Sequence, residues 1–108
     1  MTPSLFEAGY GAGMNADLAL SPFEMSPYYM DYKVGYVIGL AYMESVRRAN
    51  PYAGASEAGD MGVKYRIPYE LLEPHFDEPS DTQILGFLRM AYGLDEDDDE
   101  DYEYSVTD

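Results

Sequence analysis

The sequence predicts a mainly α-helical protein, a small helical bundle of three to four helices over residues 1–94 with a disordered acidic tail over residues 95–108. Proline follows a helix-capping residue at Thr2-Pro3 and at Ser26-Pro27, a typical start of a helix. Apolar residues then recur four positions apart, and 46% hydrophobic residues in a chain of 108 suffice for one modest core. One folded domain is therefore expected.

The first two predicted helices follow directly from these start signals. The first covers residues 3–19, and its buried face is marked by the series Phe6, Tyr10, Met14 and Leu18. The second covers about 27–49 and is the longest, because no helix breaker occurs before Asn50-Pro51. Arg47 and Arg48 lie in its last turn, where cations interact favourably with the helix dipole.

The remaining elements have weaker signals. A third helix is predicted over residues 56–66, although Gly59 and Gly62 lower its propensity, and residues 63–67 (VKYRI) could form a short strand instead. Residues 68–72 are expected to add one turn. In the last helix, Ser80 and Gln83 resemble a capping box, ILGFLRMAY supplies an apolar face, and Gly93-Leu94 predicts a Schellman-type end.

Two glycine pairs occur at the same spacing, in GYGAG at residues 9–13 and in GYVIG at residues 35–39. Gly9 with Gly13, and Gly35 with Gly39, are each four residues apart and so share one helical face. A glycine inside a helix costs roughly 0.5–1 kcal/mol relative to alanine, so four of them imply a compensating contact. We therefore expect the first two helices to cross closely at these glycines.

The glycine pattern belongs to a longer rhythm. GYGAG is followed by Ser21-Pro22-Phe23 and GYVIG by Asn50-Pro51-Tyr52, and a glycine and an aromatic residue recur about a dozen residues after each. Over residues 7–66 this rhythm resembles the ribosome modulation factor family. The resemblance implies a short helical pair joined by a loop containing Pro-Tyr, and binding to ribosomal RNA. That family is strongly basic, whereas this chain has the reverse charge, so no site residue is carried over.

The charge is concentrated at the C-terminal end. Residues 95–108 (DEDDDEDYEYSVTD) contain nine acids and no Lys or Arg, whereas residues 1–94 contain twelve acids and six bases, within a total charge of −15. A run of like charges repels itself and stays extended in solution. The run DEDDDED lacks the glycine and the closing glutamate of a calcium-binding EF-hand loop. The negative electrostatic field of this protein disfavours direct binding to nucleic acid or membranes and attracts basic clefts of other proteins.

No catalytic or cofactor motif stands out. There is no cysteine, Walker loop, nucleophile elbow or HExxH motif. His75, with Glu73, Asp77 and Glu78 nearby, has metal-ligating chemistry in principle, but a loop histidine beside solvated carboxylates is the preferred interpretation. We expect neither an enzyme nor a metal or cofactor. The longest uncharged block, residues 34–43, is half of what a bilayer helix needs, and a cytoplasmic location is expected.

Tyrosine is the most unusual component, with twelve residues and no tryptophan. Tyr28, Tyr32 and Tyr36 form a stripe along the second predicted helix, and such a stripe is more often core than binding surface. Tyr28 and Tyr29 at the helix start, and the tail tyrosines, are harder to bury. Exposed tyrosine among acids is typical of protein interfaces.

The leading functional hypothesis is a non-enzymatic inhibitor that occupies a basic nucleic-acid-binding protein as a nucleic-acid mimic, encoded by a phage or mobile element and acting in the host cytoplasm. The partner-binding residues would be Asp31, Glu44, Glu57, Asp60, Glu70 and Glu73 in the body and Asp95, Glu96, Asp97, Asp98, Asp99, Glu100, Asp101, Tyr102, Glu103 and Tyr104 in the tail. One alternative is a helical adaptor that binds through an apolar Tyr/Met-rich surface. Another is a ribosome-associated modulator, and a homodimer is compatible with each.

Overall fold

The computed structural model describes residues 4–94. The tail that the sequence analysis assigns to residues 95–108 lies outside these residues. Six α-helices occur in the described chain, and the fifth continues into a 3₁₀ turn at Glu73–His75: α1 (Leu5–Met14), α2 (Pro22–Met25), α3 (Met30–Arg48), α4 (Pro51–Lys64), α5 (Tyr69–Leu72) and α6 (Gln83–Ala91). Residues 4–94 contain no strand. The mainly α fold class is confirmed, and the alternative strand at residues 63–67 is wrong.

Helix α1 begins with a capping box that the sequence analysis missed. The Ser4 hydroxyl accepts a hydrogen bond from the Glu7 N–H, and the Glu7 carboxylate accepts one from the Ser4 N–H, both at 3.0 Å. The predicted end at residue 19 is wrong, because the helix ends at Met14 and the Asn15 side chain donates to the Gly11 carbonyl. Leu18, which was expected on the buried face, is 86% exposed.

Helices α1 and α3 touch backbone to backbone at the four glycines. A Cβ atom added to Gly9 would lie 2.2 Å from the Tyr32 carbonyl oxygen, and one added to Gly35 would lie 2.1 Å from that of Phe6. The second pair repeats this arrangement, Gly13 against the Tyr36 carbonyl and Gly39 against that of Tyr10. Only glycine permits so close an approach of two helices, which accounts for the helix propensity lost at these positions.

The same contacts give the direction of the two helices. Contacts advance together along both, from Gly9 at Tyr32 to Gly13 at Tyr36, so α1 and α3 run parallel. The glycines of α3 lie 26 positions after those of α1 (35 − 9 and 39 − 13), and the carbonyls that they face are offset by the same number. Each helix therefore contacts the other in the same way, and the pair is related by a local two-fold pseudo-symmetry. Because the helices are parallel, the connection between them has to return to the starting end, and residues 15–29 make this return.

Helix α3 begins later than predicted. Ser26-Pro27 is not its start, because the Ser26 hydroxyl donates back to the Phe23 carbonyl at 2.7 Å and so belongs to the end of α2. The first helical residue is Met30. The helix ends at Arg48, where Ala49 adopts a left-handed φ of 51° and the Asn50 N–H donates to the Ser45 carbonyl.

Helix α4 begins five residues earlier than predicted. Asn50-Pro51, read from the sequence as a stop, is also a start: the Asn50 side chain accepts from the Tyr52 N–H at 2.9 Å, and Pro51 is the first helical residue. Its contacts with α3 run in opposite order, from Gly54 at Ser45 to Tyr65, whose ring lies 6.2 Å from that of Tyr36. α3 and α4 therefore form an antiparallel hairpin joined through Ala49-Asn50.

Helix α6 closes the bundle against α4. The predicted capping box at Ser80 is wrong, because Ser80 donates to Glu78 and the Gln83 N–H donates to the Asp81 carboxylate instead. The predicted Schellman end is present: Gly93 has a φ of 77°, and the Leu94 N–H donates to the Arg89 carbonyl at 2.8 Å. The core between these helices is fully enclosed and contains Met25, Val37, Ala55, Leu72 and Leu88.

Candidate functional site

The connecting segment, residues 15–29, presents apolar side chains to solvent. Leu18 and Phe23 are each 86% exposed and Tyr29 is 74% exposed. Single exposed apolar residues are ordinary on protein surfaces, but three large ones within twelve residues of one connection are a concentration that is typical of interaction surfaces. Of these three, only Tyr29 is recognisable from the sequence as hard to bury.

Two buried tyrosines hold the middle of the connecting segment. The Tyr36 hydroxyl accepts a hydrogen bond from the Leu20 N–H at 3.0 Å, and the Tyr65 hydroxyl donates to the Leu20 carbonyl at 2.5 Å. Both polar groups of one loop residue are thus satisfied by side chains of α3 and α4. Burial raises the pKa of the Tyr65 hydroxyl, so it stays protonated as a donor.

Helix α2 fixes the next part of the segment. The Ser21 hydroxyl accepts from the Glu24 N–H at 3.1 Å, and the Glu24 carboxylate accepts from the Ser21 N–H at 2.8 Å, a second capping box. Met25 at the end of this turn is fully buried, whereas Phe23 two residues earlier points to solvent. The anchor and the exposed ring therefore lie on different sides of a single turn.

The tyrosine stripe, which begins just before α3 and continues along it, links the core to this surface. Tyr36 is buried, Tyr32 is half-buried, and Tyr28 is exposed and stacks on Tyr32 with ring centroids 4.4 Å apart. Tyr36 belongs to the core, as the sequence analysis preferred for the stripe. Tyr28 at its outer end adds an aromatic ring to the exposed part of the connecting segment.

The six body acids predicted to bind a partner fall into separate places. Asp31 and Glu44 both belong to α3 but are thirteen residues apart, roughly 20 Å along the helix axis. Glu70 and Glu73 belong to α5 and the 3₁₀ turn. Asp31, Asp60 and Glu70 are exposed, whereas the other three are only partly so. The predicted tail residues lie outside the described chain.

Helices α3 and α4 bring three of these acids close together. Glu44 forms ion pairs with Arg47 and with Arg48, the latter at 2.5 Å, so its charge is already compensated. Burial raises the pKa of Glu57, and the nearby carboxylates of Glu44 and Asp60 raise it further. This cluster is thus a local ion-pair network in which the ionised form of Glu57 is disfavoured.

His75 is placed by ring packing. Its imidazole stacks on the Phe6 ring with centroids 5.3 Å apart and an angle of 11° between the ring planes. Partial burial lowers the pKa of His75, because it disfavours the charged imidazolium. Within residues 4–94, no group of three or more His, Asp or Glu side chains is placed to hold a metal ion. The structure therefore assigns His75 a contact between the 3₁₀ turn and α1.

The fold and this site define a small, mainly α-helical protein with a parallel, glycine-packed helix pair and an exposed connection held by tyrosines. None of the helices in the described chain is long and apolar enough to cross a membrane. The chain belongs to the family described as "Protein of unknown function (DUF2623)", whose model matches residues 2–95. No solved structure matches the chain.

Proposed function

We propose that this protein is a non-enzymatic acidic binding protein that occupies a basic, nucleic-acid-binding surface of a partner protein and thereby inhibits or modulates that partner. The observation that carries the proposal is the charge: nine of the 21 acids lie within residues 95–108, where no base is present, and the total is −15. A field of this sign attracts the basic clefts that nucleic-acid-binding proteins possess and raises association rates by ~10–10³ at low salt.

Not all six predicted body contacts present an exposed, uncompensated charge. Glu44 is compensated by two arginines, and Glu57 is partly buried with a raised pKa. Asp31, Asp60 and Glu70 remain as exposed acids among the predicted contacts. In the proposal, residues 95–108 therefore supply most of the phosphate-like charge, and these three acids add to it.

The partner class follows from the same chemistry. DNA- and RNA-binding proteins of a host cell are suitable targets for a nucleic-acid mimic encoded by a phage or mobile element, acting in the cytoplasm. Basic ribosomal proteins belong to the same class, in line with the resemblance to the ribosome modulation factor family. The antiparallel α3–α4 hairpin is a helical pair of the kind that this resemblance implies, but Pro51 and Tyr52 lie in the first turn of α4 and not in a loop.

The test compares the full-length chain with a full-length variant in which the nine acids of residues 95–108 are replaced by Asn and Gln. Each serves as bait in a bacterial lysate and is eluted with rising salt. We expect the wild type to retain a nucleic-acid-binding protein that leaves at moderate salt, and the neutral-tail variant to retain much less. Added DNA or RNA should displace the retained protein. Retention that resists salt, or a retained protein that still accepts nucleic acid as well as before, contradicts the mimic.

A second candidate function is a helical adaptor that binds through its apolar surface, with the acidic tail serving only solubility. The exposure of Leu18, Phe23 and Tyr29 on one connection favours it. In the same elution experiment, an adaptor predicts a partner that withstands high salt and is held equally by wild type and neutral-tail variant.

A further inference from the structure

The connecting segment is anchored to the core at Leu20 and Met25, although its large side chains are exposed. Leu20 is hydrogen-bonded on both its N–H and its carbonyl by Tyr36 and Tyr65, and Met25 is anchored in the core. Leu18 and Phe23 lie within three residues of Leu20 and its two hydrogen bonds (the Leu20 clamp), so the backbone that carries them is restrained before any partner arrives. Such pre-organisation lowers the entropy that binding would otherwise have to overcome.

The charged side chains of the connecting segment itself are all acidic. Asp17, Glu24 and Asp31 are all exposed on or beside the connecting segment, and no Lys or Arg occurs before residue 33. Exposed apolar side chains interleaved with acids fit a partner surface in which an aliphatic or aromatic anchor is flanked by Lys and Arg. A second copy of the chain would instead bring the same acids against one another, and anionic lipid would be repelled.

We propose that Leu18, Phe23 and Tyr29 form a docking surface for a basic segment of the partner protein that carries apolar anchor residues between its Lys and Arg. This inference rests on the proposed function and deepens it. Residues 95–108 attract a basic partner over distance, and the connecting segment distinguishes one basic partner from another by its apolar residues. Electrostatics then supplies the rate of encounter, and the apolar contact supplies the specificity.

The experiment uses the full-length chain and two fluorescein-labelled peptides of equal charge. One is an amphipathic peptide of Lys and Leu, and in the other every Leu is replaced by Ser. Fluorescence anisotropy gives the affinity of each peptide for the wild type, for Leu18→Ser and for Phe23→Ser. We expect the wild type to prefer the Lys-Leu peptide by about tenfold or more, and each variant to lose most of that preference.

Met90→Ser is the matched control, because Met90 is 69% exposed on α6, outside the connecting segment. It should keep the preference of the wild type. All three substitutions remove exposed side chains, so equal melting temperatures by circular dichroism are expected and show that the fold is intact. Should Leu18→Ser or Phe23→Ser melt lower, Tyr29→Ser provides the same test at a third exposed position.

The outcomes separate the two proposals. If the wild type binds both peptides equally, or if the preference survives in the Leu18 and Phe23 variants, the docking surface is wrong while acid-driven binding stands. If the wild type binds neither peptide at low salt, the proposed function fails as well. A dimer seen by analytical ultracentrifugation in the wild type and lost in Phe23→Ser would overturn the docking proposal in favour of self-association.

Discussion

Replacing Gly35 by alanine tests the close crossing of α1 and α3 more directly than any other single substitution. The new Cβ would lie 2.1 Å from the Phe6 carbonyl oxygen, more than 1 Å short of ordinary contact, which begins near 3.4 Å. The obstructing atom belongs to a helical backbone and has no alternative rotamer. The two helices must therefore separate, which loosens the packing along both glycine pairs.

The magnitude follows from two opposing effects. Alanine is better than glycine in a helix by roughly 0.5–1 kcal/mol, and overpacking of a tight interface costs about 1–3 kcal/mol or more. We expect a net loss of about 1–2 kcal/mol for Gly35→Ala, which lowers the melting temperature by roughly 4–16 °C in a domain of this size. Gly9→Ala should behave alike, because its Cβ would lie 2.2 Å from the symmetry-related Tyr32 carbonyl.

Gly11→Ala is the matched control within α1. A Cβ at this position would meet no atom within 4 Å apart from its own helix backbone. Only the better helix propensity of alanine then acts, and stability should rise by about 0.5–1 kcal/mol. Thermal unfolding by circular dichroism, checked by urea titration, compares the three variants with the wild type. A Gly35→Ala protein that melts at or above the wild-type temperature would refute the close crossing.

Three further predictions concern single positions. Ala49→Gly should raise the unfolding free energy by about 0.5–1 kcal/mol, because Ala49 has a left-handed φ of 51°. Ala8→Gly, inside α1, is the control and should lower it; equal effects of the two substitutions in urea titrations would contradict the prediction. Burial, with Glu70 nearby, raises the pKa of Tyr92 to about 12. The folded chain then keeps a proton that the unfolded chain loses near pH 10, so stability should fall as pH rises from about 10 to about 12, and Tyr92→Phe should reduce this slope; an unchanged slope excludes the effect. Because the pKa of Glu57 is raised, Glu57→Gln should stabilise the fold at pH 7. The stabilisation should shrink as the pH falls towards 4.5, the ordinary pKa of a glutamate, and a stabilisation independent of pH would be inconsistent with a charge effect.

The main helices could be predicted because their signals are local. Periodic apolar residues located the last helix and most of the long one, and Gly93 marked a Schellman end that the structure contains. Boundaries were missed where two local signals compete. Asn50-Pro51 was read only as a stop, although the Asn50 side chain also caps the next helix. Ser21-Pro22 was read only as part of a sequence rhythm, although Ser21 caps α2.

The candidate site could be predicted only in part. The acid run is visible in the sequence, and so is the difficulty of burying Tyr29 at a helix start. Leu18 and Phe23 could not be identified as exposed, because their periodicity and composition are those of core residues. Their exposure depends on the anchors beside them, the Leu20 clamp and the buried Met25, which pair residues far apart in the chain.

The sequence by itself determined the helical class, the acidic charge and the spacing of the glycine pairs, since each depends on composition or on neighbours within a few residues. Tertiary structure alone decided that α1 and α3 run parallel, and that a connection had to return along them. The physical reason is that packing free energy depends on contacts between distant residues. Tyr36 and Tyr65 reach Leu20 across 16 and 45 positions of the chain, and no local pattern records such a contact.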